Sequence, residues 1–136
     1  MAETDTPDLD FGFRLGDWEV RPRQSSISRD GEEIRLEPKV MAVLKMLAEH
    51  EGEVVTRDEF AEVVWRGRIV SDEVLSRDIS LLRSHLGDDA RNPTFIQTVP
   101  RVGYRLITSV SPLVAPKRPR SRRALNIAAL SVLAVL

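Results

Sequence analysis

The stretch from residue 70 to 105, VSDEVLSRDISLLRSHLGDDARNPTFIQTVPRVGYR, leaves few folds open to this chain. Leu75, Ile79, Leu82 and Leu86 are spaced four, three and four apart, the period of a helix that buries one narrow stripe. Ser71 is a good N-cap, Asp72 and Glu73 suit the positive end of the helix dipole, and Gly87 supplies a stop. After an acidic Gly-Asp-Asp break the pattern turns to strands over 94–99 and 104–108. Between them, Pro100-Arg101-Val102-Gly103 reads as a tight turn with an arginine at its tip and Gly103 available for a positive φ. The expectation is a helix over 71–86 leading straight into a basic β-hairpin.

The residues before this stretch predict a small sheet and two more helices. Short strands are expected over 11–15, 18–21, 25–28 and 33–36, separated by turns at Gly16-Asp17, Pro22-Arg23 and Asp30-Gly31. Phe11 and Phe13 fall on one face, as do Trp18 and Val20. Pro38 opens a helix at a first-turn position, and Val40, Val43, Leu44, Leu47 and Ala48 recur at helical spacing before Gly52. Thr56 and Glu59 form a T-x-x-E capping box for the next helix, whose inner face is expected to carry Phe60, Val63 and Val64. The predicted order is sheet, three helices, hairpin: an α+β fold.

Charge is sharply segregated. Residues 1–65 hold eight basic and sixteen acidic side chains, residues 66–116 seven against five, and residues 117–136 five against none. An acidic body argues against a non-specific nucleic-acid binder, while the basic surplus lies in the helix–hairpin region and beyond it. Without cysteine there are no disulfides or thiolate metal sites. His50 and His85 belong to no metal-ligand cluster, and no nucleophile–base pair or phosphate-cradling glycine loop is evident. No catalytic residue, metal or cofactor is therefore expected. Residues 1–10 are polar and read as a disordered acidic arm, unlike a secretory signal.

The third helix carries the chemistry. At 100° per residue, the face opposite its stripe holds Glu73, Arg77, Ser80 and Ser84, flanked by Ser76, Leu81 and Arg83. A DNA major groove about 12 Å wide admits one helix whose inserted face is not bulky, and serines with flanking arginines meet that need. The same face also suits a solvated amphipathic helix on any small domain. An exposed Arg101 suits a minor groove, where negative potential concentrates, and equally a solvated turn. Helix and hairpin together are more specific than either.

Here the residues resemble a family. LEPK before the first helix, EGEVVTRDEFAEVVW across the second, SLLRSHLGDD closing the third and FIQTVPRVGYRL in the hairpin are similar to the DNA-binding domain of OmpR/PhoB winged-helix regulators. RIVSDEVLSRDISLLR and DDARNPTFIQTVPRVGYR resemble its membrane-tethered branch, the CadC- and ToxR-like regulators. The likeness covers residues 11–108 and implies a winged helix-turn-helix spanning 11–110 with an N-terminal antiparallel β-sheet and a β-hairpin wing. It implies that Ser76, Arg77, Ser80, Leu81, Arg83 and Ser84 face or border double-stranded DNA. Thr98, Arg101 and Tyr104 would reach backbone and minor groove, and Trp65 a phosphate. The loop Arg66, Gly67, Arg68, Ile69 and Val70 would match the segment that can touch RNA polymerase. Pairing of copies on promoter repeats is implied as well. Relatives often carry arginine where this chain has Leu81, which allows contact with a thymine methyl instead. Only ten polar residues precede the sheet, so no receiver domain and no aspartyl phosphorylation are expected.

Residues 111–123 read as a linker, with Pro112, Pro116 and Pro119 and the basic run KRPRSRR. Residues 124–136 are almost wholly apolar and uncharged. Thirteen helical residues span about 20 Å, short of a bilayer, so the segment reads as the start of a transmembrane helix with positive charge on the cytoplasmic side. A tail helix that packs on the domain or self-associates fits the same composition.

Overall fold

The computed structural model describes residues 9–68 and 70–113. Four short antiparallel strands come first: β1 Phe13–Leu15, β2 Trp18–Arg21, β3 Ser26–Arg29 and β4 Glu32–Arg35. Then follow α1 Pro38–Glu49, β5 Val55–Thr56, α2 Arg57–Val64, α3 Asp72–Leu86, the hairpin β6 Ile96–Val99 and β7 Gly103–Leu106, and finally β8 Val110–Pro112. The strands form two sheets, one ordered β4-β3-β2-β1-β8 and one ordered β5-β7-β6.

The local signals place the helices well. Thr56 Oγ1 accepts from the Glu59 amide at 3.1 Å while Glu59 Oε1 accepts from the Thr56 amide at 2.8 Å, a complete capping box. Ser71 caps α3, and Gly87 closes it at φ 75° with the Asp88 amide bonded back to the Arg83 carbonyl. The stripe Leu75, Ile79, Leu82 and Leu86 is buried, as are Val40, Val43, Leu44, Leu47 and Ala48 of α1. They meet Phe13, Leu15, Val20 and Ile27 from the first sheet and Val55, Ile96 and Leu106 from the second in one continuous core. Phe60 and Tyr104 cross it edge to face, with ring centroids 6.3 Å apart.

Several expectations give way to packing. Phe11 does not share a face with Phe13. It lies in a single helical turn, Leu9–Phe11, and is 54% exposed beneath the Arg23 guanidinium. Leu9 is buried and Asp10 pairs with Lys45, so the folded unit starts inside the supposed disordered arm; residues 1–8 lie outside the described residues. Val63 turns outward, 62% exposed, because the short α2 buries only Phe60 and Val64 fully. Gly103 has no positive φ; that role falls to Arg101 at φ 68°. Two strands had no sequence signal. β5 is only two residues long, and β8 runs from the last residue of the expected domain into the expected linker, pairing Val110 with Leu15 and Pro112 with Phe13.

Candidate nucleic-acid interface

The face of α3 opposite the core carries Glu73, Arg77, Ser80 and Ser84, all exposed, with Ser76 exposed beside them. Leu81 is half-buried and leans on the core, so only part of it is offered to a groove. Ser76, Ser80 and Ser84 keep part of this strip short beside the longer Arg77 and Glu73, which permits close approach to another surface there.

Arg83 is a correction. It does not border the exposed face: it is 9% exposed, and its Nη2 donates to the Ile96 carbonyl and to Thr98 Oγ1, both at 2.9 Å. Arg83 therefore fastens the wing to the helix. Tyr104 is likewise buried, 4% exposed, with its hydroxyl 3.4 Å from Ser76 Oγ. Its ring belongs to the core and only its polar end nears the α3 surface. Thr98 is exposed, but its hydroxyl already accepts from Arg83.

Asp88, which the sequence suggested only as part of a break, is the second fastener. Its Oδ1 accepts from the amides of Thr94 at 2.6 Å and Phe95 at 3.2 Å, and Oδ2 from that of Ile96 at 2.9 Å. One carboxylate thus ties the end of α3 to the first residues of the wing. The signal was available in principle, since an aspartate just after a helix stop commonly caps backbone amides.

At the wing tip the Val102 amide bonds back to the Val99 carbonyl at 3.0 Å, closing a four-residue turn. Pro100 sets the first corner, and the positive φ of Arg101 at the second makes this a type II turn. Arg101 is exposed. Gly103 serves a different need: a Cβ there would lie 1.9 Å from the Val55 carbonyl oxygen, so only glycine lets β7 pair with β5.

From the exposed face of α3, Arg77 reaches the N-cap residue of α1. Its Nη1 donates to Asp78 Oδ1 at 3.1 Å and its Nη2 lies 3.5 Å from Glu37 Oε2. Burial pushes the Asp78 carboxyl above the usual aspartate range, with Arg77 pulling it back and Glu37 adding to the rise. Neither Glu37 nor Asp78 was foreseen: Glu37 reaches Arg77 from outside α3, and the burial of Asp78 follows from packing. Arg57 pairs with Asp72 at 3.0 Å, joining the starts of α2 and α3.

Trp65, half-buried, ends α2, where Lys39 donates to the Val64 carbonyl at 2.9 Å and lies over the indole ring at 6.0 Å. Arg66 and Gly67 follow with φ of 57° and 81°, and Arg66, Gly67 and Arg68 are exposed. Val70 is half-buried and Ile69 lies outside the described residues.

Three helices, a hairpin pinned to the third of them and an N-terminal antiparallel sheet define a winged helix-turn-helix of the OmpR/PhoB type. The chain belongs to the family described as "Transcriptional regulatory protein, C terminal", whose model matches residues 31–106; this is a DNA-binding regulatory domain and not an enzyme. It is 43% identical over 98 residues to the transcriptional activator CadC of Escherichia coli, covering 71% of this chain and 19% of that protein. It is 45% identical over 84 residues to the cholera toxin homolog transcriptional activator of Vibrio parahaemolyticus, covering 60% and 29%. The chain thus spans less than a third of the length of these relatives. Among solved structures, the DNA-binding domain of E. coli CadC matches with TM-score 0.65 and 41% identity over 73% of this chain and 94% of that one. The Klebsiella pneumoniae RstA DNA-binding domain, solved in complex with RstA box, matches with TM-score 0.62 and 29% identity over 70% and 95%.

Proposed function

We propose that α3 reads base edges in a major groove of promoter DNA while the wing places Arg101 against the flanking backbone or minor groove. The observation that supports this best is the pairing of an exposed, uncrowded serine–arginine face with an exposed tip arginine on a hairpin fastened to the same helix. The structure of the related RstA domain with RstA box supports the same use. Gel-shift titration of the chain at two salt concentrations is the test. DNA reading predicts affinity that falls steeply with salt. Arg77→Ala and Arg101→Ala should each weaken binding, and removing one phosphate-neutralising charge flattens the log–log slope by about 0.9. A salt-independent result with full affinity in both variants would favour the rival reading, a winged helix that docks on proteins.

One surface speaks for protein contact as an additional role. Val63 is exposed beside Arg66 and Arg68 at the end of α2, and this loop is our candidate contact for RNA polymerase. Arg68→Ala should then lower transcription from a bound promoter without lowering DNA affinity. Paired binding on repeated half-sites is part of the same reading and predicts stepwise gel shifts on two-site duplexes.

We also propose a membrane anchor for the natural protein. The support is the basic run in 117–123 followed by the uncharged apolar segment 124–136. These residues lie outside the described ones, among which no helix is long and apolar enough to cross a membrane. Fractionation of the natural gene product checks it, and wholly soluble protein would sink the anchor.

A further inference from the structure

Arg77 is already claimed by two carboxylates that differ in kind. The Asp78 side chain is 4% exposed, fixed between α3 and α1, whereas the Glu37 side chain is 59% exposed at the N-cap of α1. Glu37 makes no side-chain hydrogen bond to the helix it caps. Arg77 itself is 60% exposed, so its guanidinium is open to solvent while both terminal nitrogens face acids. Lys39 also acts on the Asp78 carboxyl, so the corner holds two cations and two acids, and the exposed Glu37 is the acid on its solvent side.

We propose that Glu37, although it caps α1 and lies outside α3, determines DNA specificity by competing with DNA for the outer edge of Arg77. The proposal rests on the DNA-reading assignment of α3. Asp78 is the fixed partner and keeps the guanidinium on the helix; Glu37 is the partner that can be displaced. A guanine offers Arg77 two adjacent acceptors, N7 and O6, and so can replace what Glu37 supplies. A site lacking such a pair leaves the Glu37 charge facing DNA with nothing gained. The contact therefore penalises wrong sequences more than right ones, the repulsive half of specificity.

The test is a double-mutant cycle. A duplex is selected from a pool with a randomised centre using the 136-residue chain, and its affinity is compared with that of a scrambled duplex for wild type, Glu37→Gln, Arg77→Ala and the double variant. Glu37→Gln keeps shape and removes charge, and melting curves confirm that each variant is folded. The expected result is scrambled-site binding roughly two- to fivefold tighter in Glu37→Gln, with a smaller gain on the selected site, so the specificity ratio falls. In the Arg77→Ala background the same substitution should shift both duplexes alike and leave their ratio unchanged. An unchanged ratio in the Arg77 background overturns the proposal, as does weaker binding in Glu37→Gln. The same fall in ratio without Arg77 overturns it too, since Glu37 would then act independently of that arginine. These failures leave DNA binding by the wild type intact; a wild type with no affinity for any duplex would overturn the DNA-reading assignment as well.

Discussion

Arg101 occupies a corner of the wing turn that ordinarily favours glycine, since a side chain in the left-handed region costs on the order of 1 kcal/mol. A strained residue at an exposed tip points to a use for its side chain rather than for its backbone. Arg101→Gly should accordingly raise thermal stability, by roughly 0.5–1 kcal/mol, while weakening DNA binding. Melting curves and gel shifts on the same preparation check the opposite signs. Arg83 behaves in the contrary way. Its buried bond to Ile96 and part-buried bond to Thr98 are worth about 1.5–3 kcal/mol together with the desolvation cost of the partners left behind. Arg83→Ala should lower the melting temperature and loosen the wing, seen as faster hydrogen exchange at the Ile96–Val99 strand.

Among the elements, α2 shows how much local chemistry holds a short helix. With eight residues and two fully buried side chains, it leans on its capping box. Thr56→Ala should cost about 1 kcal/mol by denaturant titration. The box is also a pH-dependent device. The amide of Thr56 donates to Glu59 and holds its carboxyl below the ordinary range. A lowered acid contributes stability above its unfolded value, and that contribution is lost as pH falls through the folded value. Asp78 on α3 works with the opposite sign. Burial raises it, so its contribution is largest at acid pH and disappears as pH climbs from the ordinary aspartate range through the raised folded value. Melting temperatures of Asp78→Asn relative to wild type should therefore move in the variant's favour as pH rises above the ordinary aspartate range, whereas those of Glu59→Gln should move in the variant's favour as pH falls below the ordinary glutamate range.

For the molecule as a whole, β8 is the piece that ties the C-terminal end of the winged domain back to its start. It follows the wing and pairs with β1, setting Val110, Ser111 and Pro112 opposite Leu15, Arg14 and Phe13. A chain ending after residue 109 should melt at least roughly 5 °C below one ending after residue 113, because β1 loses its outer neighbour. Charge is also organised globally. The acidic surplus of residues 1–65 and the basic surplus beyond belong to different parts of the sequence, yet folding brings Glu37 from the first against Arg77 from the second.

The three helices, the capping box of α2, both ends of α3, its buried stripe and the wing were legible in the residue order, because each is written in contacts between near neighbours. Periodicity, an N-cap or a helix stop needs only a few residues to be recognised. Which polar side chains on α3 remain outside was settled only when the chain packed. Arg83 and Arg77 read alike along the helix, but the wing takes the first into its seam and α1 engages the second through Glu37, forty residues away. The same holds for Gly103. A turn pattern assigned it backbone freedom, while the packed sheet uses its missing Cβ to let β5 approach. The helix and hairpin of 70–105 could be drawn from spacing, and the chemistry of their surface could not, because burial and pairing depend on residues far away in the chain.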